Sequence, residues 1–133
     1  MEVMNARDVE GKKVGSIIYK GRTCDVKGVT LQWLSKAGPD PAAPAYGLRV
    51  FTIAPGGEIP NHDHFYVQTM YMLTGELIVY THDRESDAVL VEKRIGAGDF
   101  VFVPSMEPHS MINPSDTQEA VFLCCIGNVD EDR

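Results

Sequence analysis

From Leu48 to Ile126 the chain is written in short apolar, β-branched and aromatic stretches, each closed by glycine, proline or a polar cluster. The stretches are Leu48–Ala54, Tyr66–Leu73, Leu77–Thr81, Ala88–Lys93, Phe100–Val103 and Ala120–Ile126, and none keeps a helical period for long. Short strands at intervals of about eight to twelve residues, with turn signals between them, argue for an antiparallel sandwich or barrel. Upstream, Val29–Leu34 alternates in the same way and reads as a strand with Trp33 in the core, while Val14–Tyr19 reads as a shorter strand. Gly21–Gly28 reads as a turn region, and Gly38–Pro44 as a loop, because Pro39, Pro41 and Pro44 fix φ and remove donors. His82–Asp87 is a polar hairpin tip, which makes His82 a solvent-exposed loop residue.

A chain of 133 residues with 44% hydrophobic content builds one domain with a core of its own. Its net charge of −7 argues against nucleic acid and anionic membranes, which need clustered Lys and Arg. A small-molecule partner remains. No apolar run approaches the roughly 20 residues of a membrane span. The N-terminus carries Glu2, Arg7, Asp8 and Glu10 where a secretory signal would be apolar, so a cytoplasmic location is expected. Three cysteines are an odd number, and Cys124 and Cys125 are neighbours in a strand whose side chains alternate between faces. Reduced, structural thiols are expected.

The stretch Gly56–Gly75 holds the residues with most chemistry. His62 and His64, two apart, share one face of an extended segment, and Gln68 keeps that parity if the backbone stays extended. Such a polar cluster inside an apolar barrel is costly unless satisfied, and a divalent metal satisfies imidazole nitrogens and an amide oxygen together.

The spacing Gly56-x5-His62-x-His64-x3-Gln68-x6-Gly75 resembles the first motif of the cupin superfamily, and Gly98-x5-Pro104-x4-His109-x3-Asn113 resembles the second. The resemblance covers roughly residues 47 to 126 and looks like the small single-domain cupins. It implies an all-β, double-stranded β-helix (jelly-roll) cupin barrel. Residues 14–127 would form the single domain, with 1–13 as a flexible or swapped N-terminal arm and 128–133 as a C-terminal tail. It also implies a divalent metal held by His62, His64 and His109, with Gln68 in the fourth position, and a homodimer.

Two positions depart from the family pattern: Gln68 stands for the usual Glu, and Met106 for the usual Gly. An all-neutral ligand set leaves the charge of the ion uncancelled, which strengthens it as a Lewis acid and makes a trivalent state harder to reach. The N/O donors favour Mn or Fe, with Ni or Zn possible. Parity places Tyr66, Met70, Met72, Met111 and Asn113 on the same inner face, a mostly apolar lining. No basic cluster stands ready to clamp a phosphate or carboxylate; Arg49 is a lone candidate, expected to face outward with Phe51 and Ile53, which share its parity. The expected substrate is therefore a small, weakly polar or carbonyl-bearing molecule. Glu58, Tyr66 and Glu107 are the acid-base candidates. These features point to a metal-dependent enzyme of the lyase or isomerase type. The alternatives are an Fe-dependent dioxygenase, since three-histidine iron sites in the superfamily use oxygen, and a non-catalytic metal- or small-molecule-binding module.

Overall fold

A computed structural model describes residues 1–127; the C-terminal tail expected at 128–133 lies outside the described residues. Eleven strands follow a single 3-10 turn at Ala6–Asp8: β1 (Lys12–Lys13), β2 (Ser16–Tyr19), β3 (Arg22–Asp25), β4 (Lys27–Ser35), β5 (Gly47–His62), β6 (Gln68–Thr74), β7 (Glu76–His82), β8 (Val89–Gly96), β9 (Phe100–Val103), β10 (His109–Ile112) and β11 (Ala120–Ile126). Strands β8-β7-β10-β5-β11-β6-β9 lie in that order in one curled antiparallel sheet, with β4 also on β5 and β1 on β4, while β2 and β3 form a separate hairpin. This is a jelly roll. No helix among the described residues is long and apolar enough to cross a membrane.

The roll turns on β5, which is too long to stay in one layer. Its first half, Gly47–Ile53, pairs with β11 on one side and β4 on the other. Its second half, Glu58–His62, pairs with β10. The chain bends between the halves at Pro55-Gly56-Gly57, where Gly56 adopts φ +71°. The amide nitrogen of Asn113 closes the bend by donating to the carbonyls of Ile53 and Ala54 and to that of Gln118, at 3.0, 3.2 and 2.9 Å. Its backbone N–H donates to the carbonyl of Gly57. The expected turn-satisfying role of Asn113 before Pro114 is present, since its side-chain oxygen accepts from Ser115 N–H, and the same amide also ties three segments together.

The core is filled by alternate residues of β5, β6 and β11. Phe51 and Phe122 stack in parallel with ring centroids 5.0 Å apart. Ile53, Met70, Met72, Leu77, Ala120 and Cys124 are almost wholly buried around them. Cys124 faces in and Cys125 the other way, as the alternation requires, and both are free thiols. Trp33 is half-buried and packs against this core.

Several sequence expectations are revised. Arg22–Asp25, inside the expected turn region, pairs with Ser16–Tyr19 as a hairpin turned by Lys20-Gly21. Strand β10 was not expected, because four residues between Pro108 and Asn113-Pro114 are too few to show alternation. In the N-terminal segment, for which a flexible or swapped arm is expected, Lys12 and Lys13 pair with β4 within the chain, and the Gln32 side chain donates to the carbonyls of Ala6 and Val9; these contacts do not decide between the two.

Gly75, between β6 and β7, has φ +76°, and a Cβ there would run into the Glu119 carbonyl and lie 2.8 Å from Ala120 Cα. Backbone cannot give way as a flexible side chain can. Gly75→Ala should destabilise the protein by about 2 kcal/mol or more, read as a lowered midpoint in urea unfolding; an unchanged midpoint would contradict the geometry.

Candidate metal centre

His62 ends β5, and His109 begins β10 as its direct cross-strand partner. Register therefore brings together two residues that lie 47 positions apart in the chain (109 − 62). His64 follows two residues later, in the loop before β6. The ring centroids of His62 and His109 are 4.3 Å apart, those of His64 and His109 5.0 Å, and those of His62 and His64 5.6 Å. One ring nitrogen from each histidine lies within 4.8 Å of the other two, an arrangement that can hold a metal ion.

The main chain sets the tautomer of all three. The Nδ1–H groups of His62, His64 and His109 donate to the carbonyls of Pro60, Tyr66 and Glu107, at 2.9, 2.9 and 2.8 Å. Each Nε2 is then left as an unprotonated lone pair. The Nε2 atoms of His64 and His109 are buried without a hydrogen-bond partner among the described residues. An orphaned buried acceptor costs about 1–3 kcal/mol, and two beside a third imidazole form the donor set a divalent ion would relieve.

Gln68 opens β6, is buried, and lines the same cavity. It does not arrive there by an extended path, because the chain bends between His64 and Gln68 at Phe65-Tyr66. Its inward parity comes from β6 itself, in which Met70 and Met72 are also buried. Tyr66 stacks on His64 with centroids 4.2 Å apart and an interplanar angle of 6°. Burial, opposed by the nearby Arg49, raises its phenol above the ordinary tyrosine range. The cavity measures about 160 Å³ and is closed by Val14, Ile17, Leu31, Ile59 and Met111. A larger cleft of about 450 Å³, between β7–β8 and β9, reaches His109 and Met111 from the other side.

The remaining candidates are placed differently. Glu58 faces away from the cavity and sits 3.7 Å from Lys27 as a half-exposed ion pair, because parity in β5 turns Ile59 inward instead. Glu107 lines the larger cleft beside His109. His82 is not a solvent-exposed loop residue: it ends β7, half-buried, with Nδ1 bonded to the Asp87 carbonyl and Nε2 accepting from the Ser110 hydroxyl at 2.7 Å. Arg49 does not face outward. Phe51 and Ile53, which share its parity, are 8% and 0% exposed, and the alternation carries Arg49 into the core with them, at 8%. The signal was available in the sequence; the apolar company of Arg49 marked the inner face.

Burial is the main reason all three imidazoles titrate below the ordinary histidine range. At His109 the neighbouring imidazoles add to it, and the pKa falls to about 3. In the unfolded chain these groups titrate near 6.5, so as pH drops the unfolded state takes up protons first. Stability of the metal-free protein is therefore intact above about pH 6.5 and declines toward pH 3, with His109 alone contributing up to about 1.4 kcal/mol per pH unit. Urea midpoints measured from pH 7.5 to 4.5 should fall, and less steeply in His109→Leu; parallel profiles would refute the assignment.

The sequence profile of the Cupin domain family matches residues 49–126. No curated protein matches the chain in sequence. Among solved structures, the polyketide cyclase RemF from Streptomyces resistomycificus superposes with a TM-score of 0.71 at 23% identity, covering 97% of this chain and 85% of that one. An RmlC-like cupin from Shewanella frigidimarina NCIMB 400 gives a TM-score of 0.71 at 20% identity, over 99% of this chain and 95% of that one. An oxalate decarboxylase from B. subtilis gives 0.69 at 20% identity over 96% of this chain, which spans only 29% of that protein. At these identities the likeness is one of fold. The family profile spans more than half of the sequence, and the jelly roll it describes is the one β5 organises: the chain belongs to the cupin family.

Proposed function

We propose that the protein is a metal-dependent cupin enzyme in which His62, His64, His109 and Gln68 hold a divalent ion and present it to a small organic molecule bearing a carbonyl. The observation that carries this reading is the set of three imidazoles whose Nδ1–H groups are all committed to main-chain carbonyls, leaving the Nε2 lone pairs to one cavity. The donors are nitrogen and amide oxygen, which favours Mn or Fe, with Ni or Zn behind. Bound there, the ion would supply Lewis-acid polarisation of a carbonyl or of a coordinated water, undiminished by any anionic ligand.

The chain's own residues set the rest. The Nδ1 hydrogen bonds hold each ring in place, so little reorganisation accompanies binding. Val14, Ile17, Leu31 and Ile59 give the cavity an apolar side, which lowers the local dielectric and strengthens electrostatic interactions inside it. Tyr66, kept protonated by burial, can donate its Oη proton to a developing oxyanion. Glu107, which lines the larger cleft with Asp99 and lies nearer His109 in the chain, can exchange protons with a ligand that enters there. These parts suit lyase or isomerase chemistry.

One observation favours a second reading. No carboxylate lines the 160 Å³ cavity to act as a base within it, which suits a module that binds without turnover. We also propose a homodimer, supported by the exposed apolar side chains Tyr71 and Leu73 on β6 and Phe100 and Phe102 on β9. Sedimentation at micromolar concentration checks it, and a monomer there would refute it.

Elemental analysis of the purified protein should find about one divalent ion per chain. His62→Ala and His109→Ala should each weaken binding by a hundredfold or more, since even the loss of a supporting hydrogen bond costs about 10- to 100-fold. Full occupancy in either variant would sink the site. Deuterium exchange next to the carbonyl in a panel of diketones, followed by NMR, then tests turnover; no exchange with any metal would favour the binding module.

A further inference from the structure

We propose that Arg49 is an anion-binding residue of this cavity, and that the ligand of the protein carries a carboxylate or comparable anionic oxygen group. The inference rests on the reading of the cavity as a ligand site. Arg49 is 8% exposed and lines the cavity with His62, His64, His109, Tyr66 and Gln68. Among the described residues it forms no ion pair. Its Nε has no hydrogen-bond partner; the neutral Tyr66 phenol lies within reach of its guanidinium, and one terminal nitrogen donates to the Sγ of Cys124 at 3.1 Å. Burial raises the Cys124 thiol above the ordinary range, so that partner is neutral.

The electrostatics around this cation are one-sided. None of the residues lining the cavity is Asp or Glu. Asp63, whose charge reaches His62 and His109, is committed to Arg84 at 2.5 Å. A guanidinium keeps its charge in proteins, and burying a charge without a counterion costs several kcal/mol. The rings of Phe51 and Trp33, 4.8 and 5.2 Å from the guanidinium carbon, return part of that cost. Stacking leaves the edge of the guanidinium plane to be satisfied, and that edge is the surface that matches a carboxylate with two parallel hydrogen bonds.

The neutral amide of Gln68 sharpens the argument. A carboxylate at that position would place an anion in the cavity beside Arg49; glutamine leaves the cavity cationic, and a divalent ion would make it more so. The missing charge is supplied by whatever binds. The volume of about 160 Å³, small against the roughly 300–1,000 Å³ of sites for drug-sized ligands, limits the buried part to a few heavy atoms. A short 2-oxo acid or an enolate fits that description.

Pyruvate and its neutral isostere pyruvamide are the probes, titrated calorimetrically in low-chloride buffer against metal-free and metal-loaded protein. Wild-type protein should bind pyruvate at least about tenfold more tightly than pyruvamide in both forms. In the metal-free protein, Arg49→Gln should bring the ratio close to one, chiefly by weakening pyruvate, and Arg49→Lys should retain part of it. Gln68→Glu, which supplies an internal anion, should also abolish the preference of the metal-free protein. Equal affinity for the two probes in wild type, no binding of pyruvate, or an undiminished preference in metal-free Arg49→Gln would overturn the proposal. If Arg49→Gln fails to fold, the wild-type ratio and the Gln68→Glu variant decide it: a preference that survives in metal-free Gln68→Glu overturns it. A purely structural Arg49 would lower the melting temperature in its variants and leave the ratio untouched. Failure of the metal reading shows separately, as absent metal with an Arg49-dependent preference intact in the metal-free protein.

Discussion

Strand β5 cannot lie in one layer, and the rest of the roll follows from that. Sixteen residues of continuous strand pair with β4 and β11 before the bend and with β10 after it. The two faces of the barrel thus share one backbone, and the end of that backbone is His62. Because β10 takes its register from the second half of β5, His109 lands opposite His62. The amide of Asn113 holds the bend through the carbonyls of Ile53 and Ala54. Two of the three histidines are therefore positioned by strand pairing, and the third, His64, by the loop before β6, where the Tyr66 carbonyl holds its Nδ1–H.

Within that frame the chemistry comes from an imbalance. Three neutral imidazoles, an amide and a phenol share a small cavity with one guanidinium and no carboxylate. A folded protein tolerates such an arrangement when the core around it is well packed, and here Phe51 and Phe122 stack directly beneath the cavity. Phe51 serves both purposes, since the face of its ring carries the Arg49 guanidinium. The cation that most strongly shapes the site is thus also part of the core.

Much of the fold was legible in the chain. The strands Phe100–Val103 and Ala120–Ile126 form with the bounds that alternation indicates, because their flanking glycines, prolines and polar residues do end the pairing. Legibility failed where punctuation was overruled. Pro55-Gly56-Gly57 reads as a strand end, yet the same strand resumes with a different partner, since β10 offers new hydrogen bonds beyond the bend. At Arg22–Asp25 two glycines masked a hairpin, and at His109–Ile112 the segment is too short for a periodic signal. Gln68 faces the cavity as parity indicated, although the chain between it and His64 is bent. A wrong assumption about path is harmless when the strand restarts in the same phase.

By itself the sequence determined the all-β class and the inner face of β6, because these depend on local alternation, and its two spaced motifs carried the resemblance that joins a His-x-His segment to a distant histidine. Only the tertiary structure decided which side chains share the cavity. It turned Glu58 out toward Lys27 and brought Arg49 in, and it tied each Nδ1 to a carbonyl so that the Nε2 lone pairs meet. Those outcomes depend on register and on the packing of strands far apart in the chain, neither of which a local pattern records.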